Sequence, residues 1–454
     1  MVPFRRWWMI PLLIVILAVL AAPASAGPYE DGVAAWNQGD YAKALEIWRP
    51  LAESGDAKAQ FGLGEAYLDG KGVVENDAAA ATWFRKAADQ GLAAAQCELG
   101  QLYLTGRGLR EDEAVAVSWF RKAADQGDAR GQSALGSVYF NGWGVKKDED
   151  QASIWWRKAA DQGLDLAQFH LARCYDLGSG VAQDSALALK WYRLAAEQGH
   201  PWAQKKLGDR YRLGLGVPMD DTTAARLYRL SANQGFASAQ AILGAMLVVG
   251  EGIPRDETEA ATWFRKAAEQ GDADGQRNLG RMYLEGRGVA QDDVAAAGWF
   301  AKSARQKDAE AQQFLGWMYA HGRGVKQSNM QAISWYIKAA EQGSANAQCH
   351  LGWMCEFTLG RQKGYGQARH WYRKAAEQGH AVAECSLGRM YADGKGVKRD
   401  AAEAAKWYRL AAEHGYGEAQ DSLAVLYEQG RGVPEDREEA RKWRERAAAA
   451  RNAK

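Results

Sequence analysis

One apolar position returns along this chain every 36 residues: Leu63, Leu99, Leu135, Leu171, Leu207, Leu243, Leu279, Leu315, Leu351, Leu387 and Leu423 hold a single register. No insertion or deletion interrupts the eleven units. Within one unit, Ala59, Leu63 and Tyr67 fall at i, i+4 and i+8, one stripe of an α-helix. Gly70 and Gly72 then break the helix, with Val73 turned back as an apolar plug. Asn76 follows, and its equivalents are Asp112, Asp148, Asp184, Asp220, Asp256, Asp292, Ser328, Asp400 and Asp436. These are N-cap residues, so a second helix begins there. It carries Ala80, Trp83, Ala87 and Ala88 and stops at Gln90-Gly91, with Gly in the C′ position.

The pattern predicts an all-α chain of helix-turn-helix repeats over 57–452, preceded by a degenerate half-repeat at 27–56 (Trp36, Gly39-Asp40, Ile47-Trp48, Gly55). A fixed period of this kind builds a solenoid in which each repeat packs mainly on its neighbours. Such a chain presents a long surface rather than a buried pocket. Gly64, on the Leu face, lets a neighbouring helix approach, and large Trp against small Ala and Gly is expected to interlock the helices. Ten Trp residues share the position of Trp83 and are expected in the core: Trp119, Trp155, Trp191, Trp263, Trp299, Trp335, Trp371, Trp407 and Trp443 complete the set. Departures are local. Gln306-Lys307 lacks the terminal Gly, and in the ninth repeat Thr358-Leu359-Gly360-Arg361 replaces the turn, with Gly364 where the N-cap belongs. That turn is expected to be looser or differently bent.

The first 26 residues stand apart. Arg5 and Arg6 precede an apolar run from Trp7, which ends at Ala24-Ser25-Ala26, the layout of a secretory signal cleaved after Ala26. The apolar stretch falls short of the ~20 residues of a spanning helix. A periplasmic or secreted protein without stable membrane insertion is therefore expected. Formal charge is +1, falling to −1 without Arg5 and Arg6, so no basic stripe invites nucleic acid. The five cysteines do not repeat as a framework would, and mostly free thiols are expected.

These residues resemble the Sel-one-like repeat family, relatives of the tetratricopeptide repeat. The resemblance implies a right-handed superhelix with first helices lining its concave side, and a scaffold or adaptor role toward protein or peptide partners in the cell envelope. The position two after each Leu should then face the groove. It varies freely and includes Arg173, Arg281, Trp317, Trp353 and Arg389. Trp317 and Trp353, with Phe314, Met318 and Met354, are candidates for an apolar docking patch. Trp202 belongs to a weaker cluster with Phe61, Phe140 and Phe169, while Arg173, Arg281 and Arg389 would supply polar selection. The alternative reading is a cell-wall or polysaccharide-binding envelope protein, or a carbohydrate-active one, since exposed aromatics also stack on sugars.

No enzyme motif emerges. S-x-x-K, G-x-S-x-G, H-E-x-x-H and G-x-x-x-x-G-K-[ST] are all missing, and the recurring G-x-G pairs read as helix-connecting turns. Cys349, His350, Cys355, His370, His380 and Cys385 gather metal-ligand types in one stretch, yet without metal-binding spacing, so no metal or cofactor is expected.

Overall fold

The computed structural model describes residues 27–358 and 361–452; the signal-like segment 1–26 lies outside them. Among the described residues there are 24 helices and no strand. A short pair, Pro28–Asn37 and Tyr41–Glu53, precedes the first repeat, built of Ala57–Asp69 and Asp77–Asp89; the last repeat is Gly417–Gln429 and Arg437–Asn452. This is the construction of a helical solenoid, hairpin packed on hairpin. The helices group into two compact units, one ending at Asp220 and the other beginning at Asp221, and each is described by itself.

The predicted punctuation is present. Asn76, Asp112, Asp148, Asp184, Asp256, Asp292, Ser328 and Asp400 all accept backbone N–H bonds at the start of a second helix. First helices end on glycines in the left-handed region, such as Gly70 at φ 66°, whose N–H bonds to the Ala66 carbonyl. Where the terminal Gly is lost, Lys307 is forced to φ 70°, the one non-glycine residue described there with positive φ.

The close approach at Gly64 is real, but its partner differs from the expected Trp. A Cβ on Gly64 would stand 2.5 Å from the Phe84 ring, and Gly100, Gly316 and Gly388 face Phe120, Tyr336 and Tyr408 in the same way. The aromatic residue after the repeat Trp is the one that fills the notch. Phe84, Phe120, Tyr336 and Tyr372 are among the largest fully buried side chains. The repeat Trp sits about 100° around the helix, with Lys86 4.0 Å over Trp83 and Lys122 3.8 Å over Trp119, and is buried as expected at Trp119, Trp191, Trp263 and Trp443. Six of the ten, Trp83, Trp155, Trp299, Trp335, Trp371 and Trp407, are only partly buried.

A glutamine relay joins successive repeats. The Gln60 amide donates to the Ala52 carbonyl at 3.0 Å and its oxygen accepts from Gln90 at 2.8 Å. The same pair of bonds recurs at Gln96, Gln168, Gln240, Gln276, Gln312 and Gln348. The tenth repeat breaks the relay: Glu384, buried, takes the inner place, and His414 Nδ1 lies 2.9 Å from its carboxylate.

The ninth repeat joins its helices differently from the others. Its helices are extended to Ala345–Thr358 and Arg361–Ala376, against Ala309–His321 and Asn329–Glu341 in the repeat before, so helix replaces most of the usual connection. Gly364 is inside the second helix and caps nothing.

Candidate docking surface

In the unit beginning at Asp221, the first helix of the ninth repeat carries Trp353 and Phe357 one turn apart, 53% and 57% exposed. Their ring centroids lie 5.1 Å apart. Neither ring is needed by the core beneath them, which is closed by Leu351, Met354 and Cys355. Phe357 was absent from the sequence reading. It occupies the position six after the Leu, which is polar at Asp69, Thr105, Glu285 and His321 and aliphatic at Leu177, Leu213 and Val249, so an aromatic ring there was the visible signal.

Trp317 is more deeply set. It packs against two core clusters, stacks on His321 at 4.6 Å and lies beneath the Arg323 guanidinium at 5.4 Å. Phe314 stacks on the buried Phe300 at 4.9 Å. Met318 and Met354 are fully buried, a correction to their place in the patch: they lie three after the Leu, on the face turned into the core. The exposed aromatic surface is therefore Trp353 with Phe357, bordered by Trp317.

The arginines are already engaged. Arg389 bonds the buried Glu356 at 2.9 Å, and Glu356 also accepts from the Tyr372 hydroxyl at 3.1 Å. Arg281 lies 3.5 Å from Glu310 and 3.8 Å from Glu285. Arg389 and Arg281 are thus paired within the protein, and what the aromatic pair offers a partner is apolar area.

In the unit ending at Asp220, Trp202 is exposed, whereas Phe169 is buried, stacked on His200 at 4.8 Å with the Arg173 guanidinium 5.9 Å above it. Phe61 and Phe140 pack against Phe84 and Trp156, so this cluster is mostly internal. Toward the start of the unit, burial and then the nearby Glu98 push the Glu65 carboxyl up to about 7.

The structure does not assemble the Cys and His residues of the ninth and tenth repeats into one place. Cys349 and Cys355 are core, His350 stacks on Tyr336 at 5.2 Å, and His380 caps a helix through Nδ1. Among the described residues no group of three or more His, Cys, Asp or Glu is placed to hold a metal ion. All five cysteines are free thiols, and burial pushes those of Cys349 and Cys385 up to about 12. Among the described residues, no helix is long and apolar enough to cross a membrane.

Stacked helical hairpins with open first-helix faces define a class of interaction proteins, the helical-repeat solenoids, which generally bind protein partners. The Sel1 repeat family matches residues 57–92, 93–128, 129–164, 165–200, 203–236, 237–272, 273–308, 309–344, 345–380, 381–416 and 417–452, and the chain belongs to that family. Sel1 repeat proteins are generally non-enzymatic scaffolds. Among solved structures, the chain is similar to a protective antigen present in uropathogenic Escherichia coli strains that displays an SLR fold. Identity is 40% over 90% of each chain, with a TM-score of 0.78. It is also similar to a Sel1 repeat protein from Oxalobacter formigenes, at 32% identity over 76% of this chain and 98% of that one, TM-score 0.48. Comparison with curated proteins gives no match.

Proposed function

We propose that this protein is an exported scaffold that docks a partner protein on the first helix of its ninth repeat. The observation that carries this reading is the solvent-facing pair Trp353 and Phe357, two large aromatics placed where the fold does not use them. Aromatic side chains dominate the energetics of many protein interfaces, and truncating one such anchor removes about 2 kcal/mol or more. The signal-like segment at 1–26 supports an envelope or extracellular setting. So does the description of the 40% identical E. coli relative as a protective antigen.

The test is capture of envelope partners by the wild type and by Trp353→Ala, read by quantitative mass spectrometry. Trp353→Ala should weaken capture of a specific partner about 30-fold or more, with circular dichroism and melting unchanged. A parallel sedimentation with peptidoglycan and polysaccharide gives the opposing result: loss of glycan binding in place of protein capture would replace the scaffold reading with a carbohydrate-binding one. Trp317→Ala is a poor substitute, because its ring packs into the core and its loss would lower stability.

A further inference from the structure

The turn of each repeat seats on the start of the second helix one repeat earlier. In the unit ending at Asp220, a side chain added to Gly108, Gly144 or Gly180 would run into the backbone at Asp77, Glu113 or Glu149. The acidic first residue of that helix also grips the seated turn. Arg107 bonds Asp77 at 2.9 and 2.6 Å, the Gly144 N–H bonds Glu113 at 2.8 Å, and the Ser179 hydroxyl bonds Glu149. In the other unit, Arg287 grips Glu257 and Arg323 grips Asp293.

The repeat of Leu207 departs from this arrangement at every point. Ser185 stands where the acid should be, Leu215 stands where Arg107 does, and Gly216 meets no backbone at all. The nearest atom to a Cβ built on Gly216 is Arg210 Nη1, 3.7 Å away. Beneath the unseated turn lies a cavity of about 340 Å³ whose wall includes Asp176, Ser185, Lys206, Asp209, Arg210 and Leu215. Arg210 occupies a position that is Ala66, Leu102, Val138 and Cys174 in the earlier repeats. It is buried there, paired with Asp176 and bonded to the Leu215 carbonyl at 3.1 Å. Asp209 pairs with Lys205 at 2.8 Å. Both wall carboxylates therefore have a cation, while Lys206 forms no ion pair among the described residues. Ser185 lacks the carboxylate that Asp77, Glu113, Glu149, Asp221, Glu257 and Asp293 supply at the same position, as do Asn329, Tyr365, Ala401 and Arg437. The wall's own charges balance, but Lys206 is left without an ion pair among the described residues.

We propose that this cavity receives a carboxylate from outside the chain: the acidic side chain of a bound peptide. It would sit where Asp77 or Glu149 sits in its own repeat, with Lys206 Nζ and Ser185 Oγ as donors beside the Arg210 guanidinium. A charge-assisted hydrogen bond in a half-enclosed site discriminates strongly against the neutral amide of the same shape. The site lies in the unit that does not contain Trp353, and it stands whether or not that aromatic pair docks a partner.

The probes are acetyl-Ala-Glu-Ala-amide and its glutamine counterpart, titrated against the full chain and followed by ligand-observed saturation-transfer NMR. The glutamate peptide should bind and the glutamine peptide should not. Lys206→Met should weaken binding about tenfold or more. Ser185→Asp, which supplies the missing carboxylate internally, should abolish binding while leaving the melting temperature unchanged or raised. Trp353→Ala should change nothing. Equal binding of the two peptides, no binding of the glutamate peptide, or binding indifferent to both Lys206→Met and Ser185→Asp would overturn the proposal.

Discussion

Replacing Glu384 and His414 together by glutamine should make the protein more stable. At seven repeats, from Gln60 to Gln348, the inner glutamine serves twice, donating to a carbonyl of the preceding helix and accepting from the outer glutamine. Glu384 keeps only the second contact, through His414 Nδ1 at 2.9 Å, because a carboxylate has no N–H for the Ala376 carbonyl. That carbonyl retains the Gly379 N–H at 2.9 Å, so the loss is one hydrogen bond, not an orphaned acceptor. A regained bond contributes about 1 kcal/mol, and removing a buried carboxylate whose partner is half exposed adds a similar amount. The double substitution should therefore gain about 1–3 kcal/mol. For a unit of this size, that raises the melting temperature by roughly 2–12 °C. Differential scanning calorimetry measures the shift. Hydrogen exchange localises it to the helices Ala381–Asp393 and Ala401–Glu413, whose amides should be protected further. Glu384→Gln alone should recover most of the gain, since its oxygen still accepts from His414. A lower melting temperature for Glu384→Gln would show that the contact with His414 outweighs the relay, and the reasoning would fail.

Two further outcomes follow from single groups. Lys307→Gly should stabilise the protein by about 1 kcal/mol, because φ 70° places a β-carbon in the left-handed region; equilibrium denaturation with an unchanged result would sink that account. Glu65, held up to about 7 by burial and Glu98, keeps its proton in the folded state after the unfolded chain has released it. Stability should then fall as pH rises from about 4.5 to 7, by at most about 3 kcal/mol and less after solvent screening. Melting curves across that range should flatten in Glu65→Gln.

Much of this structure was legible because the sequence repeats its own instructions. Asp112 and Asp148 announce helix starts by residue type and spacing, and Gly70 announces a left-handed end, since both are local requirements of the backbone. Trp83 and Phe84 show where local reasoning fails. They are neighbours on one helix, both aromatic and both periodic, and only the position of the facing Gly64 decides which ring enters the notch. Met318 was misplaced for a related reason: it follows Trp317 by one residue, and that 100° step carries it from the rim into the core. In the ninth repeat, loss of the G-x-G signal predicts a turn that is looser or differently bent. Its physical result is a second helix that begins early, at Arg361, because Arg361-Gln362-Lys363 contains no breaker and the residues are good helix formers. The relay at Glu384 was missed although its sign was present: the inner Gln and the outer Gln change in the same repeat, to Glu384 and His414.

A repeated chain supplies its own reference state, so a departure can be judged by what the structure does with it. Lys307 departs from glycine and acquires backbone strain at φ 70°. Arg210 departs from an apolar residue and brings with it an unseated turn, a cavity and a buried ion pair, while Ser185 and Leu215 change beside it. One of these changes alone would cost stability through desolvation or lost seating. Three of them converge on one cavity wall, and that convergence is what directs the proposed carboxylate to this repeat and not to that at Ala401, where the acid alone is missing. The same test separates Trp353 from Trp317: both depart from the polar residues of their column, but the ring of Trp317 is absorbed by packing against His321 and Arg323, and that of Trp353 is left to solvent.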